Sequence, residues 1–186
     1  MEPCDLVAIT PDGYGVEIDL IYATDRNFTG HRVYTSAECF LHRDAAAALA
    51  RAVRLASALG FRFKILDAFR PAEAQRVLWR HSPDPNFLVH PSRGSPHSRA
   101  VAVDVTLVRV DGREVEMGTP VDSMVPESRH GTTEVGPEAQ RNRLMLLGLM
   151  TAAGWDFYRN EWWHYQLFDA RRYPLLSGSV VPGGMM

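Results

Sequence analysis

The sequence predicts a single α+β domain with a central antiparallel sheet flanked by helices. Strand-like and helix-like patterns are intermixed along the chain, which is typical of proteins that combine both elements in one domain. An Asp-Gly pair at Asp111–Gly112 follows one strand-like run, and such a pair favours a tight hairpin between antiparallel strands. No internal repeat or low-complexity linker divides the 186 residues, so we expect one domain over residues 1–186.

Each predicted element follows from a local pattern. Strands are indicated where apolar residues alternate or run together, and helices where suitable capping residues enclose a longer segment. Asp44 is a plausible N-cap for the first helix, and Gly60 supplies its stop. Pro71 suits the first turn of the second helix, where its missing N–H is not needed. In chain order, the predicted elements are a strand Tyr14 to Tyr22, a helix Ala45 to Leu59, a strand Phe61 to Phe69, a helix from Pro71 to about His81, a strand Val101 to Val108, a second hairpin strand Arg113 to Met117, a helix Pro137 to Ala153, and a final strand or strand pair Trp155 to Phe168.

Two segments interrupt this regular pattern. Ser82 to Gly94 carries three prolines and is expected to be a loop. The last segment, Trp155 to Phe168, is aromatic and strand-like, but Glu161 and His164 would point apart in an unbroken strand. We therefore predict a turn or bulge near Arg159 to Trp162.

Composition and charge argue against several classes of partner. The formal net charge of −2 gives no reason to expect nucleic acid or an anionic membrane. The chain has no run of about 18 apolar residues, and its first residues lack the basic start and apolar core of a signal peptide, so we expect a cytoplasmic protein. Cys4 and Cys39 have no C-x-x-C spacing and are expected to be inert thiols. A homo-oligomer is possible.

The segment SPHSRAVAVDVTLV, Ser95 to Val108, places an aspartate inside an otherwise apolar strand. The strand period of two puts the valines on one face and Asp104 on the other, between two small residues. A buried carboxylate requires a charged partner, which here is either an arginine or a metal ion. His97 lies seven residues earlier, in a loop-like stretch that can bend toward Asp104.

The segment EWWHYQL, Glu161 to Leu167, supplies the second half of the pattern. His164, His97 and Asp104 together form a set of two histidines and one carboxylate, a standard ligand set for catalytic zinc. Glu161 is the candidate general base. Taken alone, His164 is more often a hydrogen-bonded core residue, and a buried aspartate more often pairs with arginine, but the joint pattern favours a metal site.

These segments resemble the zinc D-alanyl-D-alanine dipeptidases of the VanX type, within the broader D-Ala-D-Ala metallopeptidases. The resemblance covers nearly the whole chain, and its most specific parts are SPHSRAVAVD and EWWH in that order. Further matching segments are YATDRNFTG at Tyr22 to Gly30, LDAFRP at Leu66 to Pro71, MG, D-x-M and S near Met117 to Ser128, and AQRNRL at Ala139 to Leu144. The resemblance implies the hedgehog-like fold of these enzymes, a Zn²⁺ cofactor and a small dipeptide as substrate.

The resemblance also implies roles for eight residues: zinc ligands, a general base, an oxyanion-stabilising arginine, and contacts to the charged ends of the dipeptide. In that order they are His97, Asp104 and His164; Glu161; Arg70; and Tyr22, Asp67 and Ser95. For Arg70 the alternative is a structural pair with Asp67. For Asp67 itself, a supporting or purely structural role is the alternative to binding the substrate ammonium.

Other functions remain open at this point. One is a D-Ala-D-Ala carboxypeptidase or peptidoglycan endopeptidase of the same family, which the absence of an export signal disfavours. The other is a zinc-bearing module that binds a partner without catalysis, which the presence of Glu161 and Arg70 disfavours. Pro96 and Ala100 depart from the family pattern, where relatives usually carry Ser or Asn and Gly, so selectivity at the substrate's carboxyl end is open. Resistance to glycopeptides such as vancomycin, recycling of wall-derived alanine and a biosynthetic role are equally compatible with such an enzyme.

Overall fold

Strands and helices are intermixed over residues 5–186, the part of the chain that this computed structural model describes. The α+β prediction is confirmed. Five short 3-10 turns join the longer elements, and one of them, His97–Arg99, directly precedes the central strand. In chain order, the strands and α-helices are β1 (Leu6–Ile9), α1 (Pro11–Tyr14), β2 (Glu17–Ile18), β3 (Cys39–His42), α2 (Arg43–Ala58), β4 (Phe61–Asp67), α3 (Ala72–His81), β5 (Ala102–Arg109), α4 (Pro137–Ala152), β6 (Trp155–Phe157) and β7 (His164–Leu167).

A five-stranded sheet in the order β2-β4-β5-β7-β6 lies at the centre of the fold. Strands β4, β5, β7 and β6 pair antiparallel, as predicted, whereas the short β2 is parallel to β4 and makes the sheet mixed. A separate antiparallel pair is formed by β1 and β3. The longest strand, β5, is therefore flanked on both sides, and every residue from Ala102 to Val108 is buried.

One face of β5 packs into the larger apolar core, as the period of two predicts. Val101, Val103, Val105 and Leu107 are all fully buried in the same cluster as the inner faces of α2 and α4. Burying one such side chain contributes about 1.5–3 kcal/mol, so a shift of one residue along the strand would be costly. This packing directs Asp104 to the opposite face of the sheet.

The N-terminal region differs from the prediction. The expected strand Tyr14 to Tyr22 is reduced to Glu17–Ile18, because Tyr14 closes α1 and Ile21–Ala23 is a 3-10 turn. Gly15 ends α1 at φ 67°, a left-handed conformation that glycine adopts without strain. The pair β1–β3 was not predicted, since four-residue strands leave too short a pattern to recognise.

The predicted hairpin is also only partly formed. The second strand, Arg113 to Met117, is wrong: a single bridge joins Val108 to Glu114, and Val115 N–H donates to the Leu107 carbonyl at 2.9 Å. The Asp111–Gly112 turn is present, with Gly112 at φ 83°. The pairing stops after one bridge.

The starts of α2 and α3 were predicted to within two residues, although the capping residues differ, and the turn in the last strand pair was predicted correctly. His42, rather than Asp44, caps α2 by accepting a hydrogen bond from Asp44 N–H at 3.2 Å. Pro71 is the residue that precedes α3 rather than its first turn. The turn predicted near Arg159 to Trp162 is confirmed, since β6 and β7 pair antiparallel on either side of it.

Two expectations concern cysteines and membranes. Cys39 is a buried free thiol whose pKa is raised by burial, in keeping with an inert role, and Cys4 lies outside the described residues. Among residues 5–186, no helix has both the length and the apolar character needed to span a bilayer.

Candidate active site

Three neighbouring strands place polar side chains in one row across the sheet. Asp67 on β4 is paired with Asp104 on β5, and Asp104 is paired with His164 on β7. The row depends on a register shift between Ile65 and Asp67, because without it Leu66 would stand opposite Asp104. Such bulges re-aim side chains next to functional sites, and here the bulge brings a second carboxylate beside the first.

His97 joins this row from the 3-10 turn before β5. Its Nε2 atom lies 3.3 Å from Asp104 Oδ1 and 3.1 Å from His164 Nδ1, and His164 Nδ1 lies 3.0 Å from the same Asp104 oxygen. All three side chains are buried. Four-coordinate zinc with bonds of about 2.0–2.1 Å separates its ligand atoms by about 3.3 Å. The triangle formed by His97, Asp104 and His164 therefore has the dimensions of a metal site.

The second nitrogen of each histidine is already engaged. His97 Nδ1 is 2.7 Å from the Ala68 carbonyl oxygen, and His164 Nε2 is 3.2 Å from Gln166 Oε1. A carbonyl can only accept, so His97 carries its proton on Nδ1 and directs the lone pair of Nε2 at Asp104 and His164. Partners of this kind orient metal-binding histidines and select their tautomer. The donor set therefore suits a divalent metal.

The carboxylate of Asp104 is held in its charged form by these neighbours. Burial acts to raise its pKa, but the interactions of the carboxylate with the His97 and His164 imidazoles outweigh burial and keep the pKa well below its ordinary value. Metal binding requires a deprotonated carboxylate, and this is the form in which Asp104 is held between the two imidazoles.

Glu161 lies beside the triangle, in the turn between β6 and β7. Its Oε2 atom is 3.9 Å from His164 Nδ1, and the residue is buried. Burial raises the pKa of Glu161 well above its ordinary value, and the negative charges of Asp104 and Asp122 raise it further. The carboxylate therefore has an increased affinity for a proton at the point where the metal site meets the cleft.

Arg70, just after β4, makes contacts in three directions. Its Nε donates to Asp67 Oδ2 at 2.8 Å, Nη1 donates to Gln75 Oε1 at 3.0 Å, and Nη2 approaches Asp104 Oδ2 at 3.4 Å. Its guanidinium also lies 4.9 Å from the centre of the Tyr22 ring. The structural pair with Asp67 is thus present, and the same guanidinium lines the cleft next to the triangle.

Asp67 and Ser95, which were both predicted to contact the substrate, differ in their access to a ligand. Asp67 is fully buried, and its oxygens accept hydrogen bonds from Tyr34 Oη at 2.8 Å and from Arg70. These contacts favour a supporting role for Asp67 over direct binding of an ammonium group. Ser95 lines the cleft, and its Oγ accepts a hydrogen bond from His97 N–H at 3.2 Å.

Tyr22 contacts an acidic residue to which the sequence analysis assigned no role in the site. Its hydroxyl donates to Asp122 Oδ2 at 2.7 Å, and both residues line the cleft. Asp122 has φ 61°, a left-handed conformation that is uncommon outside glycine and often marks functional sites. Burial of the carboxylate, with repulsion from Asp104, raises the pKa of Asp122 to about 7. The matching segment D-x-M contained this residue, but a polar loop gave no local sign of its role.

The departures at Pro96 and Ala100 are accommodated by the turn that carries His97. Pro96 has φ −57°, which its ring prefers, and its carbonyl accepts from Arg99 N–H at 3.1 Å and Val101 N–H at 3.2 Å. Ala100 has φ 57°, where a side chain costs about 1–2 kcal/mol relative to glycine. With Pro96 and Ala100 in this turn, His97 Nε2 lies 3.3 Å from Asp104 Oδ1.

The triangle, Glu161 and Arg70 all line one cleft of about 790 Å³. This volume falls within the range of roughly 300–1,000 Å³ typical of small-molecule sites. Its walls combine the polar groups above with apolar side chains of α3 and of the following loop, including Trp79 and Phe87. An α+β sheet that presents a buried His-Asp-His triangle, a glutamate and an arginine to such a cleft has the site of a hydrolytic metalloenzyme.

Comparison with known proteins assigns the family. A family model described as D-ala-D-ala dipeptidase matches residues 1–177, and the chain belongs to this family of metallopeptidases. A D-alanyl-D-alanine dipeptidase of Escherichia coli strain K12 is 43% identical over 176 residues, which cover 95% of this chain and 90% of that protein. D-alanyl-D-alanine dipeptidases of Enterococcus faecalis and Streptomyces coelicolor are 33% and 34% identical, covering 84% and 82% of this chain and 88% and 86% of their own lengths.

A solved structure supports the fold. The structure of the LdcB LD-carboxypeptidase superimposes with a TM-score of 0.51 at 14% sequence identity, covering 92% of this chain and 73% of that chain. At this identity the likeness concerns the fold alone.

Proposed function

We propose that the protein is a zinc-dependent dipeptidase that hydrolyses D-alanyl-D-alanine or a closely related small dipeptide. The observation that carries the proposal is the convergence of His97 Nε2, His164 Nδ1 and Asp104 Oδ1, with Glu161 next to them. Membership of the D-Ala-D-Ala dipeptidase family supports the substrate class.

The residues present suit zinc. Two imidazole nitrogens and one carboxylate oxygen are the protein ligands of many catalytic zinc sites, which leave a fourth position for water or substrate. When bound there, zinc supplies Lewis-acid chemistry: it polarises a carbonyl group and lowers the pKa of a coordinated water to about 7. His97, Asp104 and His164 would hold the ion.

Glu161 and Arg70 would carry out the proton transfer and the charge stabilisation. The carboxylate of Glu161, with its raised pKa, is suited to accept a proton from the attacking water as the C–O bond forms. It would then donate that proton to the leaving nitrogen as the C–N bond breaks, so that two free amino acids are released. Arg70 would donate hydrogen bonds to the carbonyl oxygen as negative charge develops on it.

The charged amino and carboxyl ends of the dipeptide would be bound by groups in the same cleft. Asp122, held by the Tyr22 hydroxyl, offers a carboxylate to the substrate ammonium group. Ser95 lines the same cleft, its Oγ accepts a hydrogen bond from His97 N–H, and it is our candidate for contact with the substrate carboxylate. A charged hydrogen bond of this kind contributes about 1.5–3 kcal/mol.

Hydrolysis rates over D,D, L,D, D,L and L,L dipeptides, measured with zinc-reconstituted protein, test the proposal directly. We expect D-Ala-D-Ala to be cleaved with the highest kcat/KM. A pentapeptide ending in D-Ala-D-Ala, included in the panel, would be the better substrate if the protein were a carboxypeptidase. Stoichiometric zinc without hydrolysis of any peptide would instead identify a binding module.

Removal of the metal is expected to abolish hydrolysis and to lower the melting temperature. An ion that binds only the folded state stabilises it by about 4 kcal/mol at a thousandfold excess over its Kd, which corresponds to roughly 10 °C for a domain of this size. Activity and thermal unfolding are measured before and after chelation, with metal content determined in parallel. Because His97→Ala lacks a ligand, chelation should leave its melting temperature unchanged. Full activity at less than a tenth of an equivalent of metal would contradict the metal's role.

Asp122→Asn is expected to impair binding while stabilising the protein. The folded-state pKa of about 7 exceeds the ordinary value, so stability falls as the pH rises from about 4 through 7, and asparagine removes this loss. We expect kcat/KM to fall about 10- to 100-fold. In chelated protein, the melting temperature of the variant should be higher than that of the wild type at pH 8 and nearly the same at pH 4. Unchanged kcat/KM, or a lower melting temperature at pH 8, would exclude this role.

A further inference from the structure

The loop between α3 and the turn that carries His97, residues 82–94, lines the cleft, and we call it the strap. Pro83, Pro85 and Phe87 from the strap line the same cleft as Glu161. Three prolines limit the conformations available to this segment. The strap therefore forms part of the cleft wall rather than a peripheral loop.

The first attachment of the strap is on the side of Arg70. Gln75, which is buried in α3, accepts a hydrogen bond from Arg70 Nη1 at 3.0 Å and donates one through Nε2 to the Val89 carbonyl at 2.8 Å. One amide thus connects the strap to the guanidinium that we assign to the oxyanion. A glutamine suits this position because it accepts at one atom and donates at the other.

The second attachment is on the side of Glu161. The Asn86 carbonyl oxygen accepts a hydrogen bond from Tyr158 Oη at 2.8 Å and another from Asn160 Nδ2 at 3.0 Å. Asn160 Nδ2 also lies 3.2 Å from Tyr158 Oη, so the two donors form one unit, which we call the latch. Both latch residues belong to the turn that carries Glu161, and Asp84 Oδ1 holds the Asn86 backbone N–H at 2.9 Å.

The start of the strap lies next to the loop that carries Asp122, the residue that we assign to the substrate's amino group. Met124 follows Asp122 by two residues, and its sulfur lies 3.9 Å from Ser82 Oγ at the start of the strap. Asp122 and the latch residue Tyr158 line the same cleft as the strap. A peptide chain that continued beyond the ammonium position would therefore meet the latched strap.

We propose that the latch determines the length of peptide that the site accepts, because it holds the strap across the cleft beyond the amino end of a dipeptide. This inference rests on the proposed function for its substrate. Tyr158 and Asn160 are then specificity-determining residues that need not touch a dipeptide. A peptide with an acylated amino end is excluded by the strap, whereas a free dipeptide fits beneath it.

The test compares the double variant Tyr158→Phe, Asn160→Ala with the wild type on two substrates, D-Ala-D-Ala and an N-acetylated tripeptide ending in D-Ala-D-Ala. Loss of two hydrogen bonds to the strap should raise the ratio of kcat/KM for tripeptide over dipeptide by about tenfold. Tyr158→Phe alone should give a smaller rise. Tyr14→Phe, which removes a hydroxyl in α1 outside the cleft, serves as the matched control and should leave the ratio unchanged.

A readout independent of activity is hydrogen exchange within the strap. Backbone N–H groups of Phe87 and Leu88, which donate to the Asp84 carbonyl, should exchange faster in the double variant. A ratio that rises less than threefold in both latch variants overturns the proposal, whatever the exchange rates show. If the wild type cleaves neither peptide, the proposed function fails, and calorimetric binding of the two peptides to the same variants decides the role of the latch by the same threefold threshold.

Discussion

Glu161→Gln is expected to lower kcat for D-Ala-D-Ala by about a thousandfold or more while zinc binding stays stoichiometric. Glutamine has nearly the same volume, so the turn between β6 and β7 keeps its packing, but an amide cannot accept the proton of the attacking water. General base catalysis contributes about 10²–10⁴-fold in enzymes, which sets the size of the effect. Turnover by single-turnover and steady-state assays, with metal analysis of the same samples, measures it.

The stability of this variant provides an internal control. Glu161 is buried near the carboxylates of Asp104 and Asp122, and its raised pKa reflects that unfavourable environment. Replacing it with a neutral amide should therefore leave the melting temperature equal or higher. Glu134→Gln, at an exposed position, is the matched substitution and should change neither kcat nor stability. A Glu161→Gln enzyme that retains more than a tenth of the wild-type rate would rule out its assigned role.

Arg70→Lys is expected to reduce kcat by about 10²–10³-fold, with a smaller change in KM. Lysine keeps the positive charge but cannot reproduce the fork that contacts Asp67, Gln75 and Asp104 at once. Loss of one donor to a developing oxyanion typically costs this much in kcat. The variant should also be less stable, because the buried Asp67 loses its closest cationic partner.

Arg143→Lys separates the catalytic effect from the structural one. Arg143 is also buried, and its guanidinium donates to the carbonyl oxygens of Met117 at 2.6 Å and Glu127 at 2.7 Å without lining the cleft. Both variants should unfold at lower temperature, but only Arg70→Lys should lose kcat by more than a few fold. If kcat of Arg70→Lys stays within threefold of the wild type, Arg70 acts as a structural partner of Asp67 alone.

Both effects depend on side chains that different parts of the fold bring together. Glu161 and Arg70 are 91 positions apart in the sequence, and each is also joined to the strap, through the turn of Tyr158 and through Gln75. A change in the strap should therefore be visible in kinetics even where the substrate is not contacted. This connection is the reason to measure the latch variants on the dipeptide as well as on the tripeptide.

Local patterns in the sequence were sufficient for the elements that carry the site. The alternation through VAVDVTL placed Asp104 opposite the valines, and the structure buries those valines in the main core. The turn before His164 was predicted from the need to bring Glu161 round to the same side. The grouping of His97, Asp104 and His164 followed from their residue types and was reinforced by the resemblance to the family, and the structure brings their ligand atoms together.

The tertiary structure alone decided the surroundings of that triangle. The register shift between Ile65 and Asp67, the left-handed backbone of Asp122, and the contacts from Asn86 to Tyr158 and Asn160 have no repeating pattern in the chain. Periodicity reflects interactions between near neighbours, which is why strands, helices and the faces of β5 could be read from the sequence. Hydrogen bonds between residues more than 70 positions apart depend on how the finished elements pack, and so the groups that orient the site and bound its cleft became visible only in three dimensions.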